Sequence, residues 1–222
     1  MAVITVSRLF GTGGVEFTKR LAHTLGYRHF SKEISEALAK KMGLPTKIIR
    51  EYEECLYHTK NWIFSSFGGR ITLTCQTSVQ VEDYRRLITD IISNLAAEGN
   101  VVILGRGGQC ILKNYPNTYH FRLVASIEDR LKHLIAEYKD PSILPTRKTL
   151  EYRIKWIDSV RAKFIKIHFK DKIDDPGLYH GIFNISKLGR ENVLQLILKI
   201  VSGHICPTRK NSVSFSEMAN QH

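Results

Sequence analysis

The sequence predicts an α/β protein: a parallel sheet with helices on both faces. Three observations carry that expectation. The apolar runs at 4–6 and 101–104 are short and lack polar alternation, which suits strands buried on both sides. Amphipathic helical segments separate such runs, giving the order of βα units. The first unit, residues 3–26, joins strand to helix through a loop holding Gly11, Gly13 and Gly14. Backbone N–H groups of such a turn, with the helix N-terminus behind it, point at an anion.

The elements follow in chain order. The strand at 4–6 leads into a helix over 14–25, with Phe17, Leu21, Ala22 and Leu25 on its packed face and Gly26 as C-cap. Residues 27–30 form a second short strand. Ser31 is the expected N-cap of a helix carrying Ile34, Leu38 and Met42, and Gly43-Leu44-Pro45 breaks it. Residues 46–67 read as helical with an aromatic end (Trp62, Phe64, Phe67), and Gly68-Gly69 marks a turn. An amphipathic helix over 79–98 ends at Gly99. The clearest buried strand, 101–104, precedes Gly105-Arg106-Gly107-Gly108. A strand at 119–124 and a helix at 126–138 follow. Pro141 and Pro145 bracket the connection to a basic helix at 147–170, and Asp174-Asp175-Pro176 closes that section. The last strand is expected at 181–185 and the last helix at 191–201. Residues 206–222 are polar and aperiodic, as in a frayed tail. Ligands of such sheets bind at the carboxyl ends of the strands, so Arg8, residues 11–14, residues 105–108 and those after Asn184 should share one crevice.

The 222 residues suffice for one substantial domain with a small inserted part. No apolar run approaches the roughly 20 residues of a membrane-spanning helix, and the chain begins directly with a strand rather than a signal peptide. Cys55, Cys75, Cys110 and Cys206 lack metal-ligand spacing, which fits reduced thiols in a cytoplasmic protein. The formal net charge is +12, and half of it sits in residues 147–172, with nine basic residues against three acidic ones. A polyanion is the natural partner, either nucleotide or nucleic acid.

A full phosphate-binding loop reads G-x-x-x-x-G-K-[ST]. With Gly13 as its last glycine, the lysine position holds Gly14 and the opening glycine position holds Arg8. Lys19 lies one helical turn too far along to replace the lysine. The chain resembles the cytidylate kinase-like family of P-loop nucleoside-monophosphate kinases. The resemblance rests on SRLFGTGGVEFTKRLAHTLGYRHFSKEI, VVILGRGGQCIL, LVASIEDRL, DSVRAKF and DDPGLYHGIFNISKLG, in order across residues 3–190. It implies a P-loop NTPase-type three-layer fold with a five-stranded parallel core. Within one domain over 1–205, the core would comprise 1–30, 98–138 and 174–205. A helical monophosphate-binding insertion would span 31–97 and a helical lid 139–173. It also implies transfer of the γ-phosphate of ATP to CMP or a related acceptor with Mg2+, a reaction catalysed mostly by positioning and charge neutralisation.

The resemblance implies the following site. Gly11, Thr12, Gly13 and Gly14 cradle the phosphates, and Arg8 supplies a fixed cation to them. Arg106 binds the acceptor phosphate, unless it forms a structural ion pair. Arg161 serves phosphates, and Asp158 orients it or a base; the two are otherwise an ordinary i,i+3 pair. Arg153 is a further lid candidate, Ser31 a substrate contact. Asn184 lies near the adenine or caps the next turn. Glu16 either binds the metal or favours the helix N-terminal dipole, so the metal ligands stay open. His29, His120, His168 and His180 are expected to be structural or exposed. Two departures from the family pattern, Val15 for an arginine and Ser31 for an aspartate, favour binding over turnover. Three functions therefore stand: a kinase, a non-catalytic nucleotide-binding protein, and a nucleic-acid-binding protein using 147–172.

Overall fold

The computed structural model describes residues 2–55, 79–138 and 140–203. Five strands form one parallel sheet: β1 (Val3–Arg8), β2 (Arg28–Phe30), β3 (Val101–Leu104), β4 (Thr118–Val124) and β5 (Gly181–Asn184). Their spatial order is β2-β3-β1-β4-β5. The register aligns Val6 with Leu104 on one side and with Phe121 on the other, so all carboxyl ends lie on one edge.

Alternation along the strands builds two core layers. Val3, Val101 and Ile103 face one layer. There they meet α2 (Lys32–Met42), α3 (Thr46–Cys55) and α4 (Val81–Glu98), together with Phe164 and Ile165. Ile4, Val6, Val102, Leu104, Phe121 and Leu123 face the other, against α1 (Gly14–Leu25) and α9 (Arg190–Val201). Each buried aliphatic side chain of these layers contributes about 1.5–3 kcal/mol by leaving water. A third cluster, Leu131, Leu134, Leu150 and Ile154, joins α6 (Ile127–Ala136) to the long α7 (Arg147–Phe169). Single-turn helices α5 (Gly108–Ile111) and α8 (Ile185–Leu188) follow β3 and β5.

Several boundaries differ from expectation. Ile185 opens α8 instead of ending β5, because the Asn184 side chain accepts the Ser186 N–H at 3.0 Å and turns the chain. Ser31 occupies the N-cap position of α2 without a side-chain cap. Its own N–H donates to Glu33 Oε2 at 2.8 Å, so the carboxylate does the local work. The helix expected over 46–67 is described to Cys55; residues 56–67, the Gly68-Gly69 turn and the tail at 206–222 lie outside the described residues.

Candidate active site

The loop between β1 and α1 takes its shape from two left-handed glycines, Gly11 (φ 79°) and Gly13 (φ 70°). An L side chain is strained at both, and the space is closed as well. A Cβ on Gly13 would approach His133 Nε2 to 2.9 Å, and one on Gly11 would approach the Arg130 carbonyl oxygen to 3.1 Å. Thr12 is buried and turns inward, its hydroxyl donating to the Leu9 carbonyl at 2.9 Å. Arg190 Nε donates to the Thr12 carbonyl at 3.2 Å and holds the loop from α9. The first turn of α1 follows the loop directly, and its leading N–H groups have no partner within the helix.

Arg8 accounts for Gly14. An ideal Cβ on Gly14 would lie 2.9 Å from Arg8 Cγ and 3.4 Å from Arg8 Cβ. The arginine stem therefore crosses the space where a side chain at the motif's lysine position would begin. Its guanidinium continues onto Gly105, where any Cβ would overlap Nη1. Arg8 thus runs from the start of α1 to the end of β3 and lies over a glycine at both ends, Gly105 being favoured as glycine by its own φ of 76° as well. Val15, at the motif's Ser/Thr position, is 43% exposed and has no side-chain oxygen.

Beside it, Gly105 (φ 76°), Arg106 (φ 58°) and Gly107 (φ 73°) form a consecutive left-handed run. A non-glycine residue there costs on the order of 1 kcal/mol or more, and such outliers cluster at functional sites. The run turns Arg106 into a small cleft of about 30 Å³ at the carboxyl ends of β1 and β3, shared with Ser7, Arg8, Gln109 and Arg161. Arg106 is anchored by a buried carboxylate: Nη1 lies 2.6 Å from Glu53 Oε2, and Nη2 donates to Ser35 Oγ at 2.7 Å. Tyr84 also donates to Glu53, at 2.8 Å. The structure thus contains the ion pair that the sequence left as the alternative for Arg106, with the guanidinium still lining the cleft.

Helix α7 is docked onto the loop. Arg161 Nη1 donates to the Arg8 carbonyl at 3.0 Å. Phe10 is flanked by Arg153 and Arg161, whose guanidinium carbons stand 5.3 and 5.8 Å from its ring centre. Asp158 reaches across to α6. Its carboxylate pairs with Arg130 of α6 and accepts the Phe10 N–H at 2.8 Å. Arg130 Nε also donates to the Phe10 carbonyl at 2.6 Å. Asp158 therefore fastens the loop, α7 and α6 together.

Across residues 3–187 the chain matches the family model described as the cytidylate kinase-like family. The chain belongs to that family. A solved structure of an uncharacterised protein from Eubacterium ventriosum aligns at 19% identity, covering 91% of this chain and 99% of that one, with a TM-score of 0.66. A gluconokinase from Sinorhizobium meliloti aligns at 14% identity over 91% of this chain and 95% of that one, with a TM-score of 0.51. At these identities the likeness is one of fold, the P-loop kinase type with sheet order 2-3-1-4-5. No curated protein matches the chain.

This cytidylate kinase-like chain has a second, wider cleft of about 520 Å³ on the opposite side of the loop. Gly11, Asp129, His133, Ser186 and Arg190 are among the residues that line it. Asn184 stands at its edge as the cap of α8, the local role left open by sequence. Glu16 is exposed in the first turn of α1, and Lys19 is exposed too. Among the described residues no three His, Cys, Asp or Glu groups gather to hold a metal.

The four histidines are structural. His29 bonds Thr18 Oγ1 at 2.9 Å, and His180 Nδ1 accepts the His120 N–H at 3.0 Å. His120 is buried against Thr5 at 2.7 Å, and burial lowers its pKa to about 4. His168, 1% exposed among Tyr52, Tyr84, Phe164 and Phe169, has no hydrogen-bond partner on either ring nitrogen among the described residues, and burial lowers its pKa to about 4 as well. Sequence reasoning missed Phe10, Arg130, Ser35 and Glu53. Arg130 lies within a block that carried the resemblance, but nothing in the spacing joined it to Asp158, 28 positions away.

Proposed function

We propose that this chain is a nucleoside-monophosphate kinase that transfers the γ-phosphate of ATP to CMP or a related acceptor, with Arg8 acting in place of the absent loop lysine. The observation that carries it is the course of Arg8, laid over Gly14 and Gly105 at the mouth of the phosphate loop. A cation fixed there meets the oxygens on which charge accumulates during phosphoryl transfer. In this reading the wide cleft takes the nucleoside end of ATP. The loop of Gly11–Gly14 takes its phosphates, and Arg106 with Arg161 receives the acceptor phosphate. Ser31 and Arg153 complete the acceptor and lid contacts. The division into an insertion at 31–97 and a lid at 139–173 belongs to the same reading, as does a cytoplasmic setting. Mg2+ bound with the nucleotide would neutralise phosphate charge; Glu16 and Asp129 are the carboxylates placed to approach it.

One observation favours the second reading, a nucleotide-binding protein without turnover. Arg106 is already paired with Glu53, and Asp158 with Arg130, so neither is a pre-formed reactive group. Coupled ADP production against a panel of monophosphates separates the two. Arg8→Ala is the control, because Arg106→Ala would strand the buried Glu53. Turnover on one monophosphate that Arg8→Ala abolishes supports the kinase. Thermal stabilisation by ATP without turnover supports the binding protein.

A further inference from the structure

Helix α7 segregates its cations by type. Its arginines Arg153 and Arg161 turn toward Phe10 and the crevice. Its lysines turn the other way. At 100° per residue, Lys148, Tyr152, Lys155, Lys163 and Lys166 fall on one stripe, and Lys170 caps the helix at its C-terminal end. All six are exposed, Tyr152 to 64%. The opposite row, Leu150, Ile154, Phe164, Ile165 and His168, is buried in the domain. Arg147 and Asp158 of α7 form ion pairs, and among the described residues none of the stripe lysines is salt-bridged to a carboxylate. The two acids within the helix, Glu151 and Asp158, both lie off the stripe.

From this one-sided charge we infer that the outer face of α7 is a docking track for a single-stranded nucleic acid, separate from the nucleotide crevice. The track is a straight line about 33 Å long, from the 1.5 Å rise over 22 residue steps. Its lysines recur along that line as point charges for successive phosphates. Tyr152 stands within it as an exposed ring on which a base can stack, the combination that single-strand binders use. An anionic membrane fits less well. The apolar row of α7 is committed to the core, so the face offers no hydrophobic stripe to enter a bilayer.

The test is fluorescence anisotropy of the full chain with labelled 20-mers of deoxythymidine and uridine, titrated from 50 to 300 mM salt. Five lysine–phosphate contacts give a slope of log K against log salt of about −3 to −4. Lys155→Glu/Lys163→Glu/Lys166→Glu should weaken binding about 100-fold at 0.1 M salt and flatten that slope to about −1 to −2. Its melting temperature and its thermal stabilisation by ATP should stay unchanged. Tyr152→Ala should weaken binding roughly 5- to 150-fold by removing one stacked base, with the slope retained. Three results would overturn the proposal: no oligonucleotide binding at 50 mM salt, unchanged affinity in the triple variant, or binding to phosphatidylserine vesicles in preference to either oligomer. Since the crevice is read separately by ATP stabilisation, failure of the track leaves the kinase assignment standing, and the reverse.

Discussion

Replacing Gly14 by alanine should uncouple stability from function. The added Cβ would sit 2.9 Å from Arg8 Cγ, at the root of the side chain rather than its mobile end. Arg8 must then leave its rotamer, at a cost of about 0.5–1.5 kcal/mol. Alanine at the first helical position returns up to about 1 kcal/mol of helix propensity. The fold should therefore stay within about 1 kcal/mol of the parent. The displaced guanidinium loses its charge-assisted hydrogen bonds to phosphate, worth about 1.5–3 kcal/mol. Affinity for ATP should fall roughly 10- to 150-fold, and any phosphoryl transfer should fall by a factor of about 100 or more. Isothermal titration with ATP and urea denaturation of the same samples measure both quantities. Gly26→Ala is the matched control: its Cβ meets nothing within 4 Å, so only the strain of its positive φ is felt. Unchanged ATP affinity in Gly14→Ala would refute the assignment of Arg8 to the phosphates.

Glu53→Ala should destabilise the fold by about 3 kcal/mol and loosen Arg106, because a cation in a low-dielectric cleft loses a buried counter-charge; urea midpoints and the acceptor KM report it. Asp158→Asn should cost about 2–3 kcal/mol, since Arg130, 7% exposed, loses the carboxylate paired with it; faster proteolysis around α7 would accompany it. His120 and His168 have folded-state pKa values below the usual histidine value, at about 4, so the fold holds them neutral. Their contribution is complete above about pH 6.5 and is lost as pH falls from there toward 4, up to about 3 kcal/mol each. His168→Phe should remove its share of that slope and stabilise the protein at neutral pH by about 1 kcal/mol or more, because two unpartnered ring nitrogens leave the core; denaturation midpoints from pH 4 to 8 measure both effects.

Most of the fold was legible because its signals are local. The buried run at 101–104, the glycine turn after β1 and the proline-bracketed connection into α7 each depend on neighbours in sequence. The site was legible at the backbone and less so at the side chains. Gly11, Gly13 and Arg8 announce themselves through motif spacing. The partner of Asp158 does not. The i,i+3 relation pointed to Arg161, whereas docking of α6 brought Arg130 to it. Glu53 was equally silent, an acid within a helix whose burial arises only when α2, α3 and α4 pack around Arg106. Gly14 carried the least sequence meaning and the most structural meaning, because its reason lies in the side chain that crosses it.

The most direct test is a structure of the protein with a non-hydrolysable ATP analogue and magnesium. The expected result places the Arg8 guanidinium within hydrogen-bond distance of the β- or γ-phosphate oxygens, with Gly14 still beneath its stem. A triphosphate bound away from Arg8, or a guanidinium that remains on Gly105 without phosphate contact, would contradict the replacement of the lysine by Arg8.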